Sequence, residues 1–89
     1  MRKLVLEKAV LKELDGFPAK QYRQVVSAIF DLLSDPNPHY SKSLEGSAYR
    51  RVAVGEYRVI YRTDEESVYV VIVGKRNDDE VYKLMQRKK

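Results

Sequence analysis

Residues 49–62 read YRRVAVGEYRVIYR, and the parity of this stretch decides the fold. Valine, isoleucine and tyrosine alternate with arginine on both sides of Gly55-Glu56, a period of two that belongs to half-buried strands. Glycine at the first position of a two-residue connection suits a type II′ hairpin turn. Such a turn sets Val54 opposite Tyr57, Ala53 opposite Arg58, Arg51 opposite Ile60 and Tyr49 opposite Arg62, and opposed residues share a face. One face then holds Val52, Val54, Tyr57, Val59 and Tyr61, with Arg50 near its open end. The other holds Tyr49, Arg51, Ala53, Arg58, Ile60 and Arg62. A slip of one residue would send Arg58 into the core, so the apolar pattern itself selects this register. The first face is expected to pack on helices and the second to form a cationic surface beside an aromatic. Neither strand carries a carboxylate of its own, which favours an anion brought by a partner over ion pairs between strand neighbours.

Working outward, the segments 49–54, 57–62 and 68–74 form an antiparallel meander broken at Gly55-Glu56 and at TDEES. VYVVIVG is apolar on both faces and reads as a central strand, covered on one side and lining something on the other. Upstream, KLVLE reads as a first strand and EKAVLKELDG as a short helix with Ala9, Val10 and Leu14 apolar, stopping at Gly16. Pro18 opens a longer helix whose stripe of Tyr22, Val25, Val26, Ile29, Leu32 and Leu33 is expected in the core, and SDPNP closes it. Downstream of Gly74, DDEVYKLMQRK places acids first and bases last, as a helix dipole prefers, and reads as a final helix. The expected fold is α+β, in the order β-α-α-β-β-β-α. A small, mainly antiparallel sheet carries a two-helix hairpin on one face, and residues 1–89 make a single domain.

Composition removes several kinds of chemistry. A chain of 89 residues supports one modest core. It contains no cysteine, which excludes disulfides, thiolate nucleophiles and cysteine-based zinc sites. Its one histidine, His39, lies in the DPNPHYS loop, so neither a transition-metal site nor another cofactor is expected. No apolar run approaches the roughly 20 residues that cross a bilayer, and LVL after Met1-Arg2-Lys3 is too short for a secretory signal. A cytoplasmic chain is expected. The net charge of +4 is mild, but its distribution is uneven. Acids sit at expected turns and helix starts, whereas bases gather on residues 49–62, at Lys75-Arg76 and in Arg87-Lys88-Lys89. Such segregation suits a polyanionic partner.

GEYRVIYR followed by VGKRNDDEVY, in this order within one small domain, resembles the RelE/ParE superfamily of toxins from type II toxin–antitoxin systems. The likeness runs over essentially the whole chain and implies the same sheet-and-helix architecture. In that superfamily the RelE branch cuts messenger RNA in the ribosomal A site, and the ParE branch poisons DNA gyrase without being a nuclease. The resemblance implies that Arg58 binds and stabilises the scissile phosphate and that Arg76 stabilises charge or acts as acid at the leaving group. It implies further that Tyr82 helps to activate the 2′-hydroxyl, and that Arg51 is the first of two basic residues on the strand before the hairpin. The second of those positions is Ala53, so one cation of the pattern is missing. Lys42 stands where some relatives carry a glutamate base, and Arg76 where they carry a histidine, so the match is to the branch that uses no His–Glu pair. The resemblance also implies a RelB-like antitoxin as partner, together with the ribosome and mRNA.

These residue types fit the chemistry. Cleavage of RNA by its own 2′-hydroxyl requires deprotonation of that hydroxyl, stabilisation of the phosphorane and neutralisation of the leaving 5′-oxygen. Arginine offers a planar, always-charged fork that matches phosphate oxygens. A tyrosine phenol is a poor base at neutral pH, and a dense cationic pocket favours its phenolate. Arg51, Arg58, Arg76 and Tyr82 are therefore the expected catalytic set, needing no metal. Tyr49, Arg62, Lys75, Arg87 and Lys88 are the expected RNA contacts. Without the resemblance, Tyr82 reads as a core aromatic of the last helix beside Met85, and the basic tail as a solvated end. Two other functions stay open: a ParE-like gyrase blocker, and a degenerate domain that only binds an antitoxin or nucleic acid.

Overall fold

The computed structural model describes residues 1–75. Among them lie two helices and five strands: β1 (Lys3–Leu6), α1 (Lys8–Asp15), α2 (Ala19–Asp31), β2 (Lys42–Ser43), β3 (Arg50–Val54), β4 (Tyr57–Thr63) and β5 (Ser67–Lys75). The fold is α+β, as expected. The expected final helix falls outside the described residues.

The strands form one sheet in the order β1-β5-β4-β3-β2. Strand β1 runs parallel to β5, and the other three pairings are antiparallel. β5 is therefore interior to the sheet, which explains why its sequence is apolar in both parities. The hairpin register matches the parity reading for Arg51 opposite Ile60, Ala53 opposite Arg58 and Val54 opposite Tyr57, and the paired stretch begins at Arg50, one residue after Tyr49. Gly55 has φ of 58° and no other residue of the turn has a positive φ, which agrees with a type II′ turn.

The first face of the sheet holds the main core. Val52, Val59, Tyr61, Val68, Val70 and Val73 cluster with Val10 and Leu14 of α1 and with Val25, Ile29 and Leu32 at the end of α2. Leu4 and Leu6 of β1 and Phe17 close its margin, and Phe17 lies 4.3 Å from Tyr57 between ring centroids. Each fully buried aliphatic here removes enough apolar surface from water to contribute about 1.5–3 kcal/mol before entropy is counted.

Four details differ from the expectations. Tyr22 is 40% exposed, so the stripe of α2 narrows to Val25, Ile29 and Leu32, with Val26 and Leu33 only partly buried. Helix α1 does stop at Gly16, but that residue has φ of −84°, so the stop does not use glycine's left-handed freedom. Ser43 and Lys42 form a short edge strand where only a loop was expected. In β5 the pairing steps from Ile60–Ile72 to Tyr61–Val70, leaving Val71 as an extra, bulged residue.

The second face is not a bare cationic surface. Ile60, Val71 and Ile72 are buried there as a smaller apolar cluster, with Leu44 and Tyr49 packed against it. Parity placed Ile60 on this face correctly. Ile60 packs there with Val71, the bulged residue, and with Leu44, neither of which has a local signal.

Candidate functional site

The pairings order the second face into rows across the strands. In the row nearest the hairpin turn, Arg58 lies between Ala53 on β3 and Gly74 on β5. The next row runs Lys42, Arg51, Ile60, Ile72 from β2 to β5. A further row holds Arg62 on β4, Tyr69 on β5 and Val5 on β1, and continuing the hairpin register one step brings in Tyr49. Arg51, Arg58 and Arg62 are all half-buried, and Lys42 is exposed. The cross-strand neighbours of Arg58 on both sides are therefore small.

Lys42 is the residue that sequence reasoning missed. It was treated only as the replacement of a glutamate, yet its pairing with Arg51 puts a second cation beside that arginine. The missing cation at Ala53 is thus matched by one arriving from the neighbouring strand. The signal was weak because β2 is only two residues long and carries no apolar alternation.

Arg50 lies off this face, as parity requires. It is opposite Tyr61, and its guanidinium donates to the Ser41 hydroxyl at 2.7 Å and to the Ser43 hydroxyl at 2.8 Å. The Ser41 hydroxyl in turn donates to the Pro38 carbonyl at 2.7 Å. Arg50 clamps the loop after α2 to the sheet. Tyr61 reinforces it, donating from its phenol to the Pro36 carbonyl at 2.8 Å.

Arg62 has a neighbour of its own. Its guanidinium carbon lies 4.0 Å from the centroid of the Tyr69 ring, a cation–π contact. The Tyr69 hydroxyl donates to Asp64 Oδ2 at 3.0 Å, and Asp64 Oδ1 accepts the backbone N–H groups of Glu66 and Ser67 at 2.8 and 2.7 Å. Those two N–H groups, helped by the Tyr69 hydroxyl and the Arg62 charge, hold the Asp64 carboxyl below its usual range.

Lys75 is placed differently from the other expected RNA contacts. It is opposite Tyr57, whose ring packs on the helix side, so the register separates it from Arg58. Arg76, Tyr82, Arg87 and Lys88 lie outside the described residues. His39 is exposed in its loop with its ring edge-on to Tyr40, and among the described residues no group of histidine, cysteine, aspartate and glutamate could hold a metal ion. Among the same residues no helix is long and apolar enough to cross a membrane. A groove of about 700 Å³ opens where β1 meets the β4–β5 turn, walled by Met1, Arg2, Lys3, Leu33 and Glu65 among others, and none of Lys42, Arg51, Arg58 and Arg62 lines it.

The sequence model of the ParE toxin of the type II toxin–antitoxin system parDE matches residues 4–80. No curated protein matches the chain. Among solved structures, the toxin–antitoxin complex RelBE2 from Mycobacterium tuberculosis aligns at 27% identity and a TM-score of 0.74, over 86% of this chain and 93% of that one. The archaeal RelE–RelB complex from Pyrococcus horikoshii aligns at 25% identity and 0.75, over 84% and 94%. A free-state variant of the Escherichia coli toxin RelE shares the fold at a TM-score of 0.82 and 21% identity, over 98% of this chain and 96% of that one.

Proposed function

We propose that this chain, which belongs to the ParE toxin family of type II toxin–antitoxin systems, is a ribosome-dependent mRNA endonuclease of the RelE kind. The observation that carries the proposal is the sharing of one sheet face by Lys42, Arg51, Arg58 and Arg62 in consecutive rows. A phosphodiester strand laid across those rows meets a cation at each.

In this reading Arg58, between the small residues Ala53 and Gly74, grips the scissile phosphate. Arg51, with Lys42 beside it, stabilises the charge that builds on the phosphorane. Donors of this kind each contribute about 3 kcal/mol to barrier lowering. Arg76 is assigned to neutralising the leaving 5′-oxygen and Tyr82 to taking the 2′-hydroxyl proton, a phenolate being favoured where cations are dense. Tyr49 and Arg62 contact the RNA beside the cut, with Lys75, Arg87 and Lys88 as outlying contacts. A set with no strong base leaves much of the rate to alignment, which the ribosome supplies by holding the message in the A site. The matched complexes from Pyrococcus horikoshii and Mycobacterium tuberculosis pair each toxin with its antitoxin, and an antitoxin is the partner proposed here, acting in the cytoplasm by covering the arginine face.

A second function, DNA gyrase inhibition, is favoured by the name of the matched family and by the chromosomal ParDE system of Pseudomonas aeruginosa, which shares the fold at a TM-score of 0.73 and 12% identity. One preparation separates the two. The purified chain is added to ribosomes translating a defined message and, in parallel, to a gyrase supercoiling assay. Cut message with gyrase unaffected supports the nuclease. Blocked supercoiling with intact message supports the alternative and removes the nuclease.

A further inference from the structure

We propose that Arg62 and Tyr69 form a stacking platform for an unpaired nucleobase of the bound message, which gives cleavage a base preference at one fixed offset from the cut. This rests on the nuclease reading. The geometry is unusual for a residue that only adds charge. The Arg62 guanidinium carbon is 4.0 Å from the Tyr69 ring centroid, so the cation is held against an aromatic face. Tyr69 is itself fixed, because its hydroxyl donates to Asp64 Oδ2 at 3.0 Å while Asp64 Oδ1 is pinned by the Glu66 and Ser67 backbone N–H groups. Val5 stands beside Tyr69 on β1, and Tyr49 lies one residue before the start of β3. Arg62 and Tyr69 are thus a cation and an aromatic paired across adjacent strands.

Among the described residues the Arg62 guanidinium donates no hydrogen bond to a protein group, and the residue is half-buried. Within the described residues its N–H edge, near the Asp64 carboxylate, and the side facing away from Tyr69 can serve a ligand without breaking a hydrogen bond. A planar cation already stacked on a ring suits the π-face of a base, whereas a phosphate needs only a charge. Position adds to this. Arg62 and Arg58 are four residues apart on β4 and face the same side, about 13 Å at the rise of an extended strand. A message gripped at Arg58 thus reaches the platform a short, fixed distance from its scissile bond. The offset is set by the sheet, so the same neighbouring base is sampled at every cut.

The test uses ribosomes translating a library of messages randomised around the cut, with the full chain as wild type, Arg62→Lys and Tyr69→Leu. Wild type is expected to prefer purines, the stronger stackers, by roughly fivefold at one position. Arg62→Lys keeps the charge and loses the plane, and Tyr69→Leu removes the supporting ring. Both are expected to cut more slowly and to show a preference near one at that position. Slower cutting with the wild-type base preference retained in Arg62→Lys would mean that Arg62 supplies charge alone, and would overturn the platform. A wild-type protein that cuts well with no preference at any fixed offset would overturn it too, leaving the nuclease standing. No cutting by wild type removes the nuclease and the platform together, so the wild-type result tells the two failures apart.

Discussion

At the scale of single residues, the arginines divide by what their neighbours offer. Arg50 meets two serine hydroxyls and becomes a clamp, whereas Arg51 and Arg58 lie on the opposite face in rows with other cations or small residues. Sequence parity separates these roles because one position along a strand reverses the face. It could not show what each side chain touches, since Ser41 and Ser43 come from a loop and a two-residue strand without a periodic signal. Tyr61 illustrates the same limit. Parity buries its ring, but its bond to the Pro36 carbonyl joins residues 25 apart in sequence. Tyr61→Phe is expected to lower stability by about 1 kcal/mol in urea titration, leaving activity unchanged. Asp64 gives a pH-dependent counterpart. Its carboxyl is held below its usual range by the Glu66 and Ser67 N–H groups, so the ionised form stabilises the fold. That stabilisation is complete above the ordinary carboxylate range, about pH 4, and disappears as pH falls through the lower folded value. Asp64→Asn is therefore expected to melt below wild type at neutral pH, with the gap closing as pH falls. A gap that stays constant across the acid range would mean that Asp64's charge contributes nothing.

At the scale of elements, the β3–β4 hairpin organises the rest. Its register was legible because Gly55 fixes the turn and the apolar residues fix the parity, two constraints that agree. Gly55 has φ of 58°, and a Cβ built there would meet only Gln24 Oε1 at 3.9 Å, an ordinary contact. The cost of Gly55→Ala is therefore backbone strain alone, about 1–2 kcal/mol by chemical denaturation. A neutral or stabilising substitution would show that the turn readily adopts another form. The β5 bulge was not legible, because VYVVIVG is apolar at every position through Val73 and so gives no sign of where pairing slips. Helix α2 was read too generously for a related reason. Periodicity finds an apolar stripe but does not measure its width, and Tyr22 falls on the solvent side of the boundary.

Taken as a whole, the molecule places its stability and its candidate chemistry on opposite sides of one sheet. Helices α1 and α2 contribute to the core that includes Val59, Tyr61 and Val70, and the other face carries Lys42, Arg51, Arg58 and Arg62 around Ile60 and Ile72. The face of each arginine was legible from the hairpin alone, whereas the gap at Ala53 came from the family resemblance. Lys42, the answer to that gap, became visible only with strand pairing. This separation makes Arg58 a residue whose loss should silence activity without unfolding the protein. The measurement that tests the central claim most directly maps RNA 5′ ends in ribosomes translating a defined message, with wild type and Arg58→Ala at matched concentration and unchanged circular dichroism. Wild type is expected to cut within the A-site codon, and Arg58→Ala to cut about a hundredfold more slowly or not at all. Equal cutting by a folded Arg58→Ala protein, or no cutting by wild type, would contradict the assignment of this face to mRNA cleavage.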